Sequence, residues 1–363
     1  MPQEAQPPKP TTVTAAPTAG RRDAASVRRI WWRVIGAITV VMVLTAGFAG
    51  VSLYRLGQDF DTRVQKLSDP FAASDALPAV PPTSTGPASP NPSPVAGVAQ
   101  NILLLGSDTR GTFGNDIADV TAQRSDTIML VHVPADRQNV FVMSIMRDSW
   151  LNIPGHGDAK VNAALSLGGV PLAVQTVEGL LGIHVDHVAV IDFAGLQGVT
   201  DALGGISLWN DIGFVSSKIP GHYFAQGLQN LNGEETLAYV RERYAFNDGD
   251  FQRVRNQQLV IKGMMKAVSN ADTITTPGKL NTLIDALTPF IASDDTFTSA
   301  YLAGLALELY TVRYDDVTFF TMPSTGTGTS PDGQSIVNID YGRLDPIRQG
   351  LAADTLTPAQ ALE

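Results

Sequence analysis

Three rhythms of apolar and polar positions run along this chain, and each predicts its own kind of element. The first is an unbroken stretch. From Val34 to Tyr54 there are 21 residues without a charge, centred on Ile38-Thr39-Val40-Val41-Met42-Val43-Leu44. A helix of that length can span the hydrocarbon core of a bilayer. Trp31 and Trp32 stand just before it, at the place of an interfacial aromatic belt, and Arg33 can snorkel toward the headgroups. The second rhythm is a short apolar run bounded by turn residues, which predicts a strand. Ile102–Leu105 is the purest case and reads as a buried central strand. Asp126–Val133 and Val140–Met146 follow it, joined by a turn at Pro134-Ala135-Asp136-Arg137-Gln138; Val188–Phe193, Ile206–Trp209 and Val317–Thr321 complete the set.

The third rhythm is helical. It predicts a helix over Asn162–Gly182, interrupted around Gly168-Gly169-Val170-Pro171 and ended by Gly182. A short helix over Phe193–Leu203 is stopped by Gly204-Gly205. Phe251–Val268 carries Val254, Ile261, Met265 and Val268 on one apolar side. Two more helical segments fall near 277–291 and 298–310, and the Gly/Thr/Ser-rich stretch 324–335 predicts a loop. Strands alternating with helices predict an α/β domain built on a single mixed β-sheet flanked by helices.

Composition places that domain. Residues 1–33 are rich in Pro, Thr and Ala and carry Arg21, Arg22, Arg28 and Arg29. They cannot bury enough apolar surface to order themselves. Arginines ahead of the span put the N-terminus in the cytoplasm and the remainder outside. A cleaved signal peptide is the competing reading, since Ala46-Gly47-Phe48-Ala49 offers small residues. The apolar run exceeds the about 7–15 residues of a signal core, which favours an uncleaved anchor over 34–54. Residues 55–69 read as a polar juxtamembrane helix, and 70–97, with eight prolines, as an extended spacer. The main domain is expected over 98–345, with an acidic tail at 346–363. A net charge of −10 argues against non-specific nucleic-acid binding, and the absence of cysteine excludes disulfides, thiolate metal sites and a cysteine nucleophile.

Several constellations carry candidate chemistry. Arg241-Glu242-Arg243 follows Leu237-Ala238-Tyr239-Val240; at a strand end its two guanidinium groups point the same way. On a helix starting near Asp250, positions 250, 253 and 257 share one stripe, which brings Asp250, Arg253 and Gln257 together, with Gln258 next in line. Arginine forks suit phosphate oxygens, so this block predicts a site for a phosphorylated substrate. Gly106-Ser107-Asp108-Thr109-Arg110 follows the first strand, and Arg124-Ser125-Asp126-Thr127 heads the next. Asp108 and Asp126 together offer hard oxygen ligands of the kind Mg²⁺ takes. Read alone, Gly106–Arg110 is equally a turn, Arg147-Asp148 a local ion pair, and Lys160, which precedes a helix starting at Asn162, a solvated loop lysine. His184 and His187 diverge on a strand and predict no metal site. Trp209, Phe214, Tyr223 and Phe224 predict core or groove lining. Signature loops for nucleotides, serine hydrolases and zinc proteases are absent.

Taken in order, these motifs resemble the LytR-CpsA-Psr family of bacterial envelope proteins. The matching pieces are Gly106–Arg110, Arg124–Thr127, Arg147-Asp148-Ser149-Trp150, Lys160-Val161-Asn162-Ala163-Ala164, Val185-Asp186-His187, Ala202–Gly205, Gly227 with Leu231–Glu234, and the Tyr239–Gln258 block. The resemblance implies transfer of a glycopolymer from a polyprenyl-pyrophosphate carrier to peptidoglycan, with Mg²⁺ as cofactor and a phosphodiester as product. It implies Asp108 and Asp126 as metal ligands. Arg124, Arg147, Arg241, Arg243, Asp250 and Arg253 become catalytic candidates, and Lys160, Gln257, Arg110 and Asn162 substrate-binding ones. An apolar pocket of that fold would hold the lipid. Two positions depart from the family pattern: Met146 replaces a usual proline, and Asn256 stands where arginine is common, with Arg255 adjacent as a substitute. A non-catalytic lipid-pyrophosphate binder and a lipid-pyrophosphate hydrolase are the alternative readings. The identity of the polymer, arabinogalactan among the options, and of the general base stay open at this level.

Overall fold

The computed structural model describes residues 54–72, 97–107, 125–269 and 277–362. The expected anchor apart from Tyr54, the N-terminal tail, and Asp108, Arg110 and Arg124 lie outside the described residues. A helix over 54–63 (α1) leads into β1 (Gln65–Lys66). Then β2 (Gln100–Ser107), β3 (Ser125–Val133) and β4 (Val140–Ile145) run as an antiparallel meander. The hairpin β5 (Trp150–Ile153)–β6 (Gly157–Lys160) precedes α2 (Ala163–Leu181), β7 (His187–Asp192) and α3 (Phe193–Ala202). Next, β8 (Ile206–Asn210), β9 (Phe214–Val215), β10 (Tyr223–Phe224) and β11 (Gly227–Leu231) form nested hairpins, β9 on β10 and β8 on β11. Helices α4 (Gly233–Arg241) and α5 (Gly249–Val268) follow. After a helix at Pro277–Leu287 come β12 (Ile291–Ser293), a helix at Ser299–Glu308, β13 (Val317–Thr321) and the hairpin β14 (Ser324–Thr329)–β15 (Ser335–Ile339). Helices at Tyr341–Ala352 and Pro358–Leu362 end the described chain.

Seven strands make one mixed sheet in the order β1-β12-β7-β2-β3-β4-β13, as the alternation of elements predicts. Strand β2 is buried on both faces because its side chains alternate between two apolar layers. Leu103 and Leu105 enter one layer with α2 and the last two helices, whereas Ile102 and Leu104 enter the other with α1 and the Ser299–Glu308 helix. Helix α2 breaks where expected: Gly168 and Gly169 leave helical geometry just ahead of Pro171, and Gly182 caps the end at φ 69°. Strands β2, β4, β7 and β13 run parallel to one another, with β3 opposed. Their carboxyl ends and the start of β3 therefore meet at one end of the sheet, where open α/β sheets build their sites.

Three expected boundaries are corrected. Residues 55–69 do contain the expected helix, over 54–63, but the segment is built into the domain: Phe60, Val64 and Leu67 are buried, and β1 pairs in parallel with β12. Most of the expected spacer, residues 73–96, lies outside the described residues. The expected tail is also part of the core, with Ile347, Leu351, Leu356 and Ala361 buried in the layer that holds α2. The stretch 324–335 is a β-hairpin with an irregularity between Ser324 and Gly326, where Gly326 takes φ 107°. The aromatic reading is half right: Phe214 and Phe224 are core, but Trp209 and Tyr223 are 59% and 58% exposed. Trp209 sits on the outward face of a two-stranded ribbon opposite Leu228, where no second layer covers it.

If α1 belongs to the domain, emptying its main anchor is costly. Phe60→Ala is expected to destabilise the protein by about 3–5 kcal/mol, as large-to-small changes in a packed layer do. The shift of the urea midpoint at constant slope measures this.

Candidate active site

Five elements converge at the sheet end. Arg147 follows β4, and its backbone is clamped. The Arg147 carbonyl accepts from Asn162 N–H at 3.1 Å, and Ser149 N–H returns to Met146 O at 2.9 Å. Met146 itself is buried against Val254 and Val337. Asp126 enters from the start of β3, Phe193 from the start of α3, and Arg253 and Gln257 from the first turns of α5.

Arg241 closes α4. The segment Leu237–Val240 is helical, not a strand; a capping box at Asn232 and Glu235 starts this helix. The chain straightens at Glu242 (φ −72°, ψ 131°), so residues 241 and 243 still fall on one side, as expected, and residue 242 on the other.

The cleft these elements form, open to solvent on one side, has a volume of about 230 Å³ and is lined by Asp126, Arg147, Phe193, Lys218, Val240, Arg241, Arg243, Tyr244, Arg253 and Gln257. Five of these are cations and one is a carboxylate. Behind the wall, Asp250 gathers the arginines, at 3.3 Å from Arg253 and 3.9 Å from both Arg147 and Arg243. Arg147 pairs with Asp126 and lies 3.5 Å from Asp148, whose other oxygen is 3.2 Å from Lys160.

Burial pushes the Asp250 carboxyl up, helped by a hydrogen bond shared with Asp148, while Arg253 and Arg147 only partly offset this. Asp148 moves the other way. Burial opposes its charge, but Asp250, Arg147 and Lys160 outweigh burial. The two acids are thus shifted in opposite directions, and Asp250 is the one that takes up a proton first as pH falls. Burial likewise opposes charge on Arg147, and Asp126 and Asp148 more than restore it. Among the described residues, two buried donors of this wall have no hydrogen-bond partner, Nε of Arg253 and Nε2 of Gln257; Nε of Arg147 makes no hydrogen bond either but faces the Asp148 and Asp250 carboxylates. Unsatisfied donors in a buried, cation-rich wall are a cradle for an anion that brings its own oxygens.

Not every candidate reaches the cavity. Lys160 and Asn162 stand behind Arg147 and support it: Lys160 pairs with Asp148, and Asn162 contributes its backbone N–H. Gln258 points away, donating to Ser144 Oγ at 2.9 Å and Phe320 O at 3.0 Å, which fixes α5 to the sheet. Arg255 does not substitute at the cavity, being engaged with Asp248 and Gln252 outside it. Asn256 is buried, donating to Tyr239 O at 3.2 Å and accepting from Gln252. Among the described residues no group of three or more His, Asp and Glu is placed to hold a metal. Asp126 on the cavity wall nevertheless fits the habit of Mg²⁺, which takes one or two carboxylates and completes its shell with substrate phosphates and water.

Lys218, Tyr244 and Glu242 were not singled out by their sequence setting. Tyr244 lies beside two cations, with the Arg243 guanidinium 4.6 Å and Lys218 Nζ 5.0 Å from its ring centre. Glu242 is wholly buried and accepts from Ser217 N–H (2.6 Å), Ser217 Oγ–H (2.8 Å), Arg243 N–H (3.0 Å) and Tyr244 N–H (3.1 Å). Burial alone would raise its pKa; those hydrogen bonds outweigh burial and hold it below the usual carboxylate range. A carboxylate lowered in the fold stabilises fully above its unfolded pKa, about 4.3, and loses that contribution as pH falls through its folded value. Glu242→Gln is therefore expected to flatten the loss of stability between about pH 5 and pH 3. Urea midpoints measured at each pH read this directly.

The family model described as LytR_cpsA_psr family matches residues 84–352. The chain is 33% identical over 258 residues to the Enterococcus faecalis polyisoprenyl-teichoic acid–peptidoglycan teichoic acid transferase TagU, covering 69% of this chain and 78% of that protein. To the Corynebacterium glutamicum cell wall biosynthesis protein LcpA it is 29% identical over 284 residues, covering 68% of this chain. The match spans only 54%, about half, of that relative's length. Among solved structures, that of B. subtilis TagV superposes with a TM-score of 0.59 at 25% identity, covering 71% of this chain and 98% of that one.

Proposed function

Because this chain belongs to the LytR-CpsA-Psr family, we propose that it transfers a glycopolymer from a polyprenyl-pyrophosphate carrier to peptidoglycan. The observation that carries the reading is the cavity wall of five cations against one carboxylate, with the buried donors Arg253 Nε and Gln257 Nε2 without a hydrogen-bond partner among the described residues. Such a wall suits a diphosphate. A hydroxyl of the acceptor glycan attacks the phosphorus bonded to the donor sugar, and the bond from that phosphorus to the bridging oxygen breaks. The products are a phosphodiester and polyprenyl phosphate. Little covalent chemistry is asked of the protein, so its work is positioning and stabilising charge.

Arg241, Arg243 and Arg253 bind the non-bridging oxygens as forks, and Arg147 carries charge against the same groups from the β4 side. Gln257 supplies a neutral donor. Asp250 and Asp148 orient the arginines from behind. Mg²⁺ is part of the proposal: Asp126 and Asp108 would hold it, where it would neutralise charge developing on the leaving phosphate. The uncharged run over 34–54 is proposed as the membrane anchor that puts this domain outside the cell, and arabinogalactan as the polymer.

The test uses the full chain in detergent with a polyprenyl-pyrophosphate glycan and peptidoglycan, with and without Mg²⁺. A new phosphodiester between glycan and peptidoglycan supports the reading. Release of glycan phosphate without an acceptor adduct points to a hydrolase, and binding without turnover to a capture protein; either result rejects it.

A further inference from the structure

The segment Ser216–Ile219, between β9 and β10, brings Lys218 to the cavity from a part of the chain that shares no element with the arginines. The segment is internally braced. Ser216 Oγ accepts from Lys218 N–H at 3.0 Å and Ile219 N–H at 3.1 Å, while Ser216 N–H donates to His222 O at 2.9 Å. Its tie to the arginine turn is the Glu242 carboxylate, whose Oε2 accepts from Ser217 N–H and whose Oε1 accepts from Ser217 Oγ–H and from the Arg243 and Tyr244 amides. A buried carboxylate in that position is costly unless every acceptor site is used. Here four donors use it. The Tyr244 ring then stands beside both Arg243 and Lys218, so the two cations share one flat, half-apolar support.

We infer that Lys218 is a further substrate-contacting cation, and that Glu242 is the positioning residue that sets it and the Arg241–Arg243 turn against one phosphorylated head group. This rests on the reading of the cavity as a diphosphate site. Glu242, though flanked by arginines, does not serve to neutralise substrate-binding charge. Its role is geometric: it joins two segments of chain so that their donors arrive at a fixed separation, which a compact diphosphate rewards and a single phosphate does not.

The test is a double-mutant cycle on the full chain in detergent, read as binding of inorganic pyrophosphate by calorimetry. Lys218→Ala, an exposed change that leaves the thermal midpoint in place, is expected to weaken binding about tenfold, and Lys218→Arg to restore it within about twofold. Glu242→Gln is expected to weaken binding by at least as much, and to speed amide hydrogen exchange at Ser217, Arg243 and Tyr244. In the Glu242→Gln background, Lys218→Ala should cost less than about twofold. Should Glu242→Gln fail to fold, Ser217→Ala takes its place and should cut the Lys218→Ala effect at least by half. Additive effects, or a Lys218→Ala protein that binds like wild type, overturn the inference while leaving the diphosphate reading intact. A wild-type chain that does not bind pyrophosphate overturns both.

Discussion

An Arg241→Ala/Arg243→Ala protein is expected to lose transfer by at least about 10³-fold while remaining folded. Each guanidinium faces the cavity, and removing one preorganised donor from a transition-state site typically costs about 10²–10³-fold. The two act on one group, so the combined loss falls short of the product of single losses. The fold is expected to survive, because both side chains are only half-buried and line the cavity instead of an apolar layer; Arg243 reaches Asp250 only at 3.9 Å. The measurements are product formation with lipid-linked donor and a thermal melt of the same sample. Full turnover by the folded double variant would remove the arginines from the mechanism.

Arg147→Ala should do the opposite to the balance between activity and stability. This guanidinium lies between Asp126, Asp148 and Asp250, and without it three carboxylates face one another with only Lys160, Arg243 and Arg253 to hold them. Breaking a buried pair by deleting one partner costs about 3–5 kcal/mol, because the remaining charge is uncompensated. The pH dependence gives a sharper signature. With Arg147 gone, the acids near it take up protons at higher pH in the folded state than in the unfolded one. The variant is therefore least stable where they are ionised and regains stability on acidification toward pH 5, the reverse of a protein held by salt bridges. Denaturant midpoints of wild type and variant across that range test the sign. Arg147→Lys keeps a charge but not the fork, and should recover stability more than activity.

The sheet was legible in the sequence because its central strands are buried on both faces, which writes runs such as Ile102-Leu103-Leu104-Leu105 directly into the chain. Helix α4 was not, because four apolar residues in a row fit a strand or a buried helix equally; the signal that separates them was Asn232 three residues before Glu235. The last helices were hidden behind acidic composition, although Leu344, Ile347 and Leu351 recur at helical spacing. At the site, Arg241, Arg243, Arg253 and Gln257 converge as the spacing implied. Neighbours on a helix point about 100° apart, and so Gln257 faces the cavity while Gln258 fixes α5 to the sheet. Glu242 was legible only as a charge between two arginines. Its hydrogen bonds to Ser217 cross 25 residues of chain, a pairing that no local pattern announces.

The pairing of β1 with β12 also bears on how the protein can be handled in solution. Cut before residue 98, the chain loses α1 and β1 together. The backbone of β12 then becomes an open sheet edge, next to an apolar layer from which Phe60 and Val64 have been taken. An uncovered edge beside exposed Phe297, Tyr301 and Leu305 is a template for strand addition between molecules. A soluble form beginning at the prolines is thus set to self-associate, and one beginning at Tyr54 keeps its edge closed.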